Sequence, residues 1–140
     1  MNAADHVTNL GLVQALASVG TLVKDYFPEA SINFSPWRDD SQTELWFEEE
    51  SLDLAFHFPG WSPRLQCRSL LIQLRVIKHT PSDFPRLLGV IMKGITFSGE
   101  RWRLATVGDW QPTGSHLPHE VVMDQLRAIC RELFVLFPSD

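Results

Sequence analysis

Residues 89–108 carry the pattern that most narrows the fold. Two apolar runs, GVIMKGITF and ERWRLATVG, flank the dipeptide Ser98-Gly99. A two-residue connection of this composition joins antiparallel neighbours, so the sequence predicts strands over 89–97 and 100–108. Within the second strand, alternation puts Trp102 and Leu104 on one face and Arg101 and Arg103 on the other. The two arginines are therefore expected to point together into solvent.

Further strands follow from the same period of two. Residues 52–58 alternate, with Leu52, Leu54, Phe56 and Phe58 on one face and Asp53, Ala55 and His57 on the other. Residues 43–49 (TELWFEE) would pair with them through Glu50-Ser51. A loop with Pro59, Gly60, Trp61 and Pro63 is expected next. Residues 67–78 form a long strand with Leu70, Ile72, Leu74 and Val76 on one side, and residues 31–36 a short one.

Helical spacing appears at the two ends. Over 6–26, Leu10, Val13, Leu16, Ala17, Gly20, Val23 and Phe27 recur on one face. Leu12, Val19, Leu22 and Tyr26 widen it, and Pro28 stops the helix. Over 118–137, Val122, Leu126, Ile129 and Leu133 form the buried stripe. A two-turn helix is expected at 82–89, with Ser82 as cap, Pro85 in the first turn and Gly89 at the end. The order is then α-β-β-β-β-α-β-β-α. The fold class is α+β in two layers: an antiparallel sheet of five to six strands, with the terminal helices on one face. A length of 140 residues makes a single domain over 1–140 the expectation.

Charge is segregated along this chain. Residues 38–53 hold seven acids and one arginine, a local net of −6, while residues 64–103 hold eight bases and two acids, a local net of +6. These blocks either pair across the sheet or present a sign to a partner. A basic face of Arg75, Lys78, Lys93, Arg101 and Arg103 is the second possibility. Trp61 with Arg64 and Arg68 is the leading partner-binding group, because Trp and Arg dominate interface energetics. Trp37 and Trp110, also in loops, are expected to cover ends of the core.

Helix 6–26 has a narrow polar stripe with little charge. Gln14, Ser18 and Thr21, with Leu22 beside them, are the candidate dimer interface. The order of elements is similar to that of small acidic secretion chaperones. That likeness of topology implies dimerisation and binding of another chain.

Chemical signatures are sparse. His116 and His119 have metal-ligand character, but Pro118 and Glu120 between and after them are ordinary helix-start chemistry. His57 shares a strand face with Asp53, the arrangement of a general base beside a carboxylate. No GxSxG or GxxxxGK[ST] run accompanies it. Gly94, inside a strand, marks a bulge or a close backbone approach. Cys67 and Cys130 belong to no CxxC pair and read as buried free thiols.

The functional expectation is a non-catalytic protein-binding module without a cofactor, adaptor- or chaperone-like, joined to another protein or to itself. A ligand or enzyme pocket between sheet and helices is the alternative, and nucleic-acid binding through the basic face is the second. A sequence pI of about 5.5 weighs against nucleic acid. The uncharged run Val7–Val23 is too short and too polar to span a bilayer, and Asp5 stands where a signal peptide would carry bases. A chain that keeps its Met1 and carries no leader is expected in the cytoplasm.

Overall fold

The computed structural model describes residues 2–3, 10–37, 51–77 and 84–138. The elements are α1 (Leu10–Tyr26), β1 (Ser31–Asn33), β2 (Ser51–Ser62), β3 (Cys67–Ile77), β4 (Arg86–Thr96), β5 (Gly99–Ala105), β6 (Thr113–Gly114) and α2 (Glu120–Leu136). All six strands form one sheet in sequence order, each antiparallel to the next. For β2–β3 and β4–β5, joined by four and two residues, a short turn enforces that arrangement, because a chain returning at once can only pair antiparallel. The α+β class is therefore shown, with helices at both ends and one antiparallel sheet.

One face of the sheet makes the core. Leu52, Leu54 and Phe56 of β2, Leu70, Ile72 and Leu74 of β3, Val90 and Met92 of β4, and Trp102 and Leu104 of β5 are fully buried or nearly so. α1 adds Leu12, Leu16, Val19 and Val23; α2 adds Val122, Met123, Leu126, Ile129 and Leu133. Each large side chain so enclosed contributes about 1.5–3 kcal/mol. Arg64, in the β2–β3 turn, crosses to both helices. It donates to the Tyr26 carbonyl at 3.1 Å and to Gln125 Oε1 at 2.8 Å, with its guanidinium over the Phe27 ring at 4.7 Å.

Several expected boundaries move. The buried stripe of α1 is centred on Leu12, Leu16, Val19 and Val23, whose large side chains run on into Phe27. Leu10 and Val13, expected in the core, are 70% and 42% exposed. Ala17 is exposed as well. There is no helix at 84–89. Phe84 and Pro85 are irregular, and Arg86 and Leu87 pair with Ile77 and Val76 while the Leu87 N–H donates to the Pro138 carbonyl at 2.7 Å. Pairing in the sheet supplies those backbone groups with partners that a two-turn helix lacks. The remaining helix positions 82–83, and the expected strand 43–49 with Trp46, lie outside the described residues. α2 begins two residues later than expected, and β6 is a strand the alternation does not announce.

β2 does not stop at Phe58; it runs through Pro59, Gly60 and Trp61 to Ser62. Pairing shifts between His57↔Ser69 and Ser62↔Cys67, so β2 spends five residue steps where β3 spends two. The excess lifts the Phe58–Trp61 segment out of regular register. Bulges absorb extra residues in this way and re-aim the side chains they carry.

The 89–108 hairpin is present, but its loop is Phe97-Ser98, one residue earlier than expected. Thr96 pairs with Gly99, whose φ of +105° is open to glycine and strained for other residues. A second irregularity follows: Ile95 pairs with Glu100 and Gly94 with Trp102, leaving Arg101 as the extra residue.

Candidate functional site

Antiparallel order brings the end of β2, the start of β3, the end of β4 and the start of β5 to one end of the sheet. Both irregularities fall there, and they build the site. Trp61 lies in the lifted part of β2 and stays 45% exposed. Arg101, being the bulge residue, escapes the alternation that would place it beside Arg103. Its guanidinium instead stacks over the Trp61 ring at 4.9 Å. At the same end of the sheet, Arg68 of β3 stacks over the ring of Phe97 at 4.2 Å, and Phe97 at the hairpin tip is 88% exposed.

The six arginine and tryptophan positions named from sequence therefore do not act as one patch. Trp61, Arg68 and Arg101 gather at this end, with Phe97 as an added aromatic. Arg64 sits at the same end but is engaged by Tyr26, Phe27 and Gln125. Arg103 is joined to Glu100 at 2.9 Å, and Lys93 reaches the same carboxylate at 3.7 Å. The expectation that Arg101 and Arg103 point together is thus corrected by the bulge. Arg75 lies seven residues along β3 from Arg68, about 23 Å at strand rise, and pairs in register with Ser51 and Gly89. Lys78 is outside the described residues.

Hydrogen bonding separates these bases further. Among the described residues, the guanidiniums of Arg68 and Arg101 have no hydrogen-bond acceptor and no ion-pair partner; the Arg101 Nε–H is buried without one. Their only organised contacts are the aromatic faces. A guanidinium stacked by its face leaves its in-plane N–H edge free of the ring, and at Arg101 the terminal Nη pair is the part of that edge not buried.

Arg64 has the opposite character, holding a turn to two helices. Substitution Arg64→Ala is expected to cost about 1–3 kcal/mol, the loss of two charged hydrogen bonds and a cation–π contact. A chemical denaturation curve would show it as a lower midpoint at unchanged slope. An unchanged midpoint would remove the structural role.

The acidic block is legible only at its last residue, since 38–50 lie outside the described residues. Asp53 is fully buried opposite the helices, and its carboxylate accepts from the Trp37 indole N–H, from Ser51 Oγ at 2.8 Å and from Gln73 Nε2 at 3.4 Å. Asn2 bridges β2 at Asp53 and grips the Trp37 backbone by two hydrogen bonds. Ala55, Leu71 and Gln73 on the same face are also buried. The sheet is thus partly enclosed on the side expected to be wet. Trp37 serves that enclosure, and Trp110 packs on Phe134 with its carbonyl held by Arg127.

The catalytic candidates have structural roles. His57 Nδ1 lies 2.7 Å from Ser69 Oγ, its cross-strand partner, and Nε2 lies 3.5 Å from Asn33 Nδ2. Asn33 Oδ1 accepts the Ser35 N–H at 2.9 Å, which orients the amide so that Nδ2 faces the imidazole. Both ring nitrogens of His57 are thus taken up by neighbouring polar side chains of β1 and β3. Asp53, two residues away, is turned into its own network.

His119 caps α2, with Nδ1 accepting the Val121 N–H at 3.3 Å, and His116 is exposed before it. Among the described residues no group of three or more His, Cys, Asp or Glu is placed to hold a metal ion. Cys67 and Cys130 are fully buried free thiols, and burial pushes each up to about 12. A thiol held protonated is a poor nucleophile.

On α1, Gln14, Ser18 and Thr21 are exposed, whereas Leu22 is half-buried against the core. With Leu10, Val13 and Ala17 they form a face without charge. No helix among the described residues is long and apolar enough to cross a membrane.

A family described as a domain of unknown function matches residues 4–139 of this chain. No curated protein and no solved structure matches it.

Proposed function

We propose that this chain, which belongs to that family of domains of unknown function, is a non-catalytic protein-binding module that docks a partner at the Trp61–Phe97 end of the sheet. The observation that supports the reading is the pair of guanidinium–aromatic stacks there, with Trp61 and Phe97 exposed. Large exposed aromatics beside arginine are what interface hot spots are made of, and an exposed phenylalanine at a hairpin tip adds nothing to the core. The protonated thiols and the engagement of His57 by Ser69 and Asn33 weigh against the enzyme alternative. Two reduced, buried cysteines fit a cytoplasmic setting.

A second reading adds to the first. The uncharged face of α1, Leu10, Val13, Gln14, Ala17, Ser18 and Thr21, supports self-association, because a solvated helix face ordinarily carries charge. Light scattering at tens of micromolar gives a dimer mass on this reading, and Ser18→Arg returns it to a monomer. A monomeric mass for the unaltered protein removes it.

The docking reading is tested by tagged capture from native lysate with nuclease present, comparing the unaltered chain with Trp61→Ala and Phe97→Ala. One dominant protein at near-equal amount, reduced about tenfold or more by either substitution, is the expected result. Arg64→Gln, at the same end but engaged internally, should retain it. Capture insensitive to both aromatic substitutions overturns the docking site.

A further inference from the structure

We infer that the Trp61–Phe97 end recognises carboxylates, so that the partner offers an acidic polypeptide segment and Arg68 and Arg101 are the groups that bind it. The inference rests on the docking reading above and adds the chemistry of the partner.

The argument begins with how the bases differ. Lys93 and Arg103 share Glu100, and Arg64 is held by a carbonyl and an amide oxygen. Arg68 and Arg101 have neither hydrogen bond nor ion pair among the described residues, yet each is fixed in place by an aromatic ring. Stacking removes the rotameric freedom a free arginine would lose on binding, so the cost of ordering it is already met in the unbound protein. What remains open is the planar fork of Arg68 and the two terminal Nη groups of Arg101, whose Nε–H is buried, and either pair can bind a carboxylate bidentately. Among the described residues, Glu100 at this end is already engaged by two bases, and Arg64, Arg68 and Arg101 add positive charge there. Arriving carboxylates meet a complementary field there although the whole chain carries −5.

Nucleic acid also bears anions, but two stacked arginines make a small basic surface on an acidic protein. Duplex binding rests on neutralising many phosphates at once. An acidic peptide with several carboxylates can engage either arginine or both, and the exposed rings of Trp61 and Phe97 offer it apolar contact.

The test uses the full chain and fluorescein-labelled hexaglutamate, hexalysine and oligothymidylate, read by anisotropy at low ionic strength. Hexaglutamate is expected to bind, to weaken as salt is added, and to lose about tenfold or more in affinity on combining Arg68→Gln with Arg101→Gln. Arg68→Lys with Arg101→Lys keeps the charge but loses the fork, and should fall between. Arg101 is half-buried, so Phe97→Ala, which removes an exposed ring and the platform under Arg68, serves as a variant that leaves the core intact. Absence of hexaglutamate binding, or binding indifferent to all these substitutions, overturns the inference. Tighter binding of oligothymidylate overturns it in favour of nucleic acid. If hexaglutamate fails while a lysate protein is still captured and lost in Trp61→Ala, the docking reading stands and the carboxylate inference falls. If hexaglutamate binds through Arg68 and Arg101 while no protein is captured, the carboxylate site stands and the docking reading falls.

Discussion

Gly94→Ala lowers stability by about 4 kcal/mol, an overpacking cost and an orphaned hydrogen bond combined. Gly94 pairs with Trp102 across β4 and β5, and the indole lies directly over the glycine. A Cβ built at this position meets three atoms of the five-membered ring at less than 3 Å. Trp102 is fully buried, and its N–H donates to the Leu65 carbonyl at 2.6 Å. The ring therefore has no solvent to move into, and any shift large enough to admit a methyl group breaks that bond. Leu65 lies in the turn that leads into Cys67, so the strain reaches the end of the sheet that carries Trp61 and Arg101.

A melting temperature lower by roughly 12–16 °C is the expected reading, since a domain of this length loses about 3–4 °C per kcal/mol. The same substitution in a Trp102→Phe background should cost at least 1 kcal/mol less. The smaller ring lacks the atoms in contact and has already given up the hydrogen bond. Additive effects of the two substitutions would show that the close approach is not what makes glycine necessary here.

The sheet was legible because alternation and turn chemistry agree at most of its strands. Residues 52–58, 67–78 and 100–105 each carry an apolar face that only one register buries. Gly94 was legible for a similar reason: a glycine in an otherwise apolar strand calls for a close neighbour, and Trp102 is that neighbour. The helix at 82–89 misled because Ser82, Pro85 and Gly89 are locally good start and stop residues. Pairing of Arg86 and Leu87 with the end of β3 outweighs that local preference.

The candidate site was legible by residue type and illegible by geometry. Trp61, Arg68 and Arg101 stand out as aromatic and basic, but alternation sends Arg101 to the side of Arg103. One extra residue in β5 reverses the outcome, and a bulge leaves no mark in a pattern of period two. Pro59 and Gly60 look like the end of a strand, yet β2 continues through them. Phe97 carries a sequence signal of its own: an aromatic immediately before Ser98-Gly99 falls on the turn itself when pairing moves by one residue. The separation of engaged from open arginines has no sequence signal, because it depends on which acceptors the fold brings near.

Above pH 9 the two buried thiols are expected to draw stability down as pH rises. Cys67 and Cys130 are each shifted from 9.0 to about 12, chiefly by loss of solvent around a group that would become charged. Backbone N–H groups of Ile95 and Ser69 and the charge of Arg101 pull Cys67 back only in part. Both folded values exceed the unfolded value. The protonated thiols' contribution is therefore complete below pH 9 and disappears as pH climbs toward 12. Between those limits the unfolded chain has released protons that the folded chain retains. Each thiol then reduces unfolding free energy by about 1.36 kcal/mol per pH unit, so together they remove about 4 kcal/mol by roughly pH 10.5. Urea curves from pH 8 to that point, with a phosphine reductant to keep both cysteines as thiols, would trace the slope. Cys67→Ala and Cys130→Ala each start from lower stability at pH 8, because each leaves a small cavity, but each should show about half the thiol-dependent slope and the double variant none of it. Every other ionisable side chain remains in all four proteins, so the difference between curves isolates the sulfur. Equal slopes in all four proteins would mean that the thiols ionise as freely in the folded chain as in the unfolded one. In that case iodoacetamide would modify the native protein readily at pH 9, instead of only after urea has opened the core.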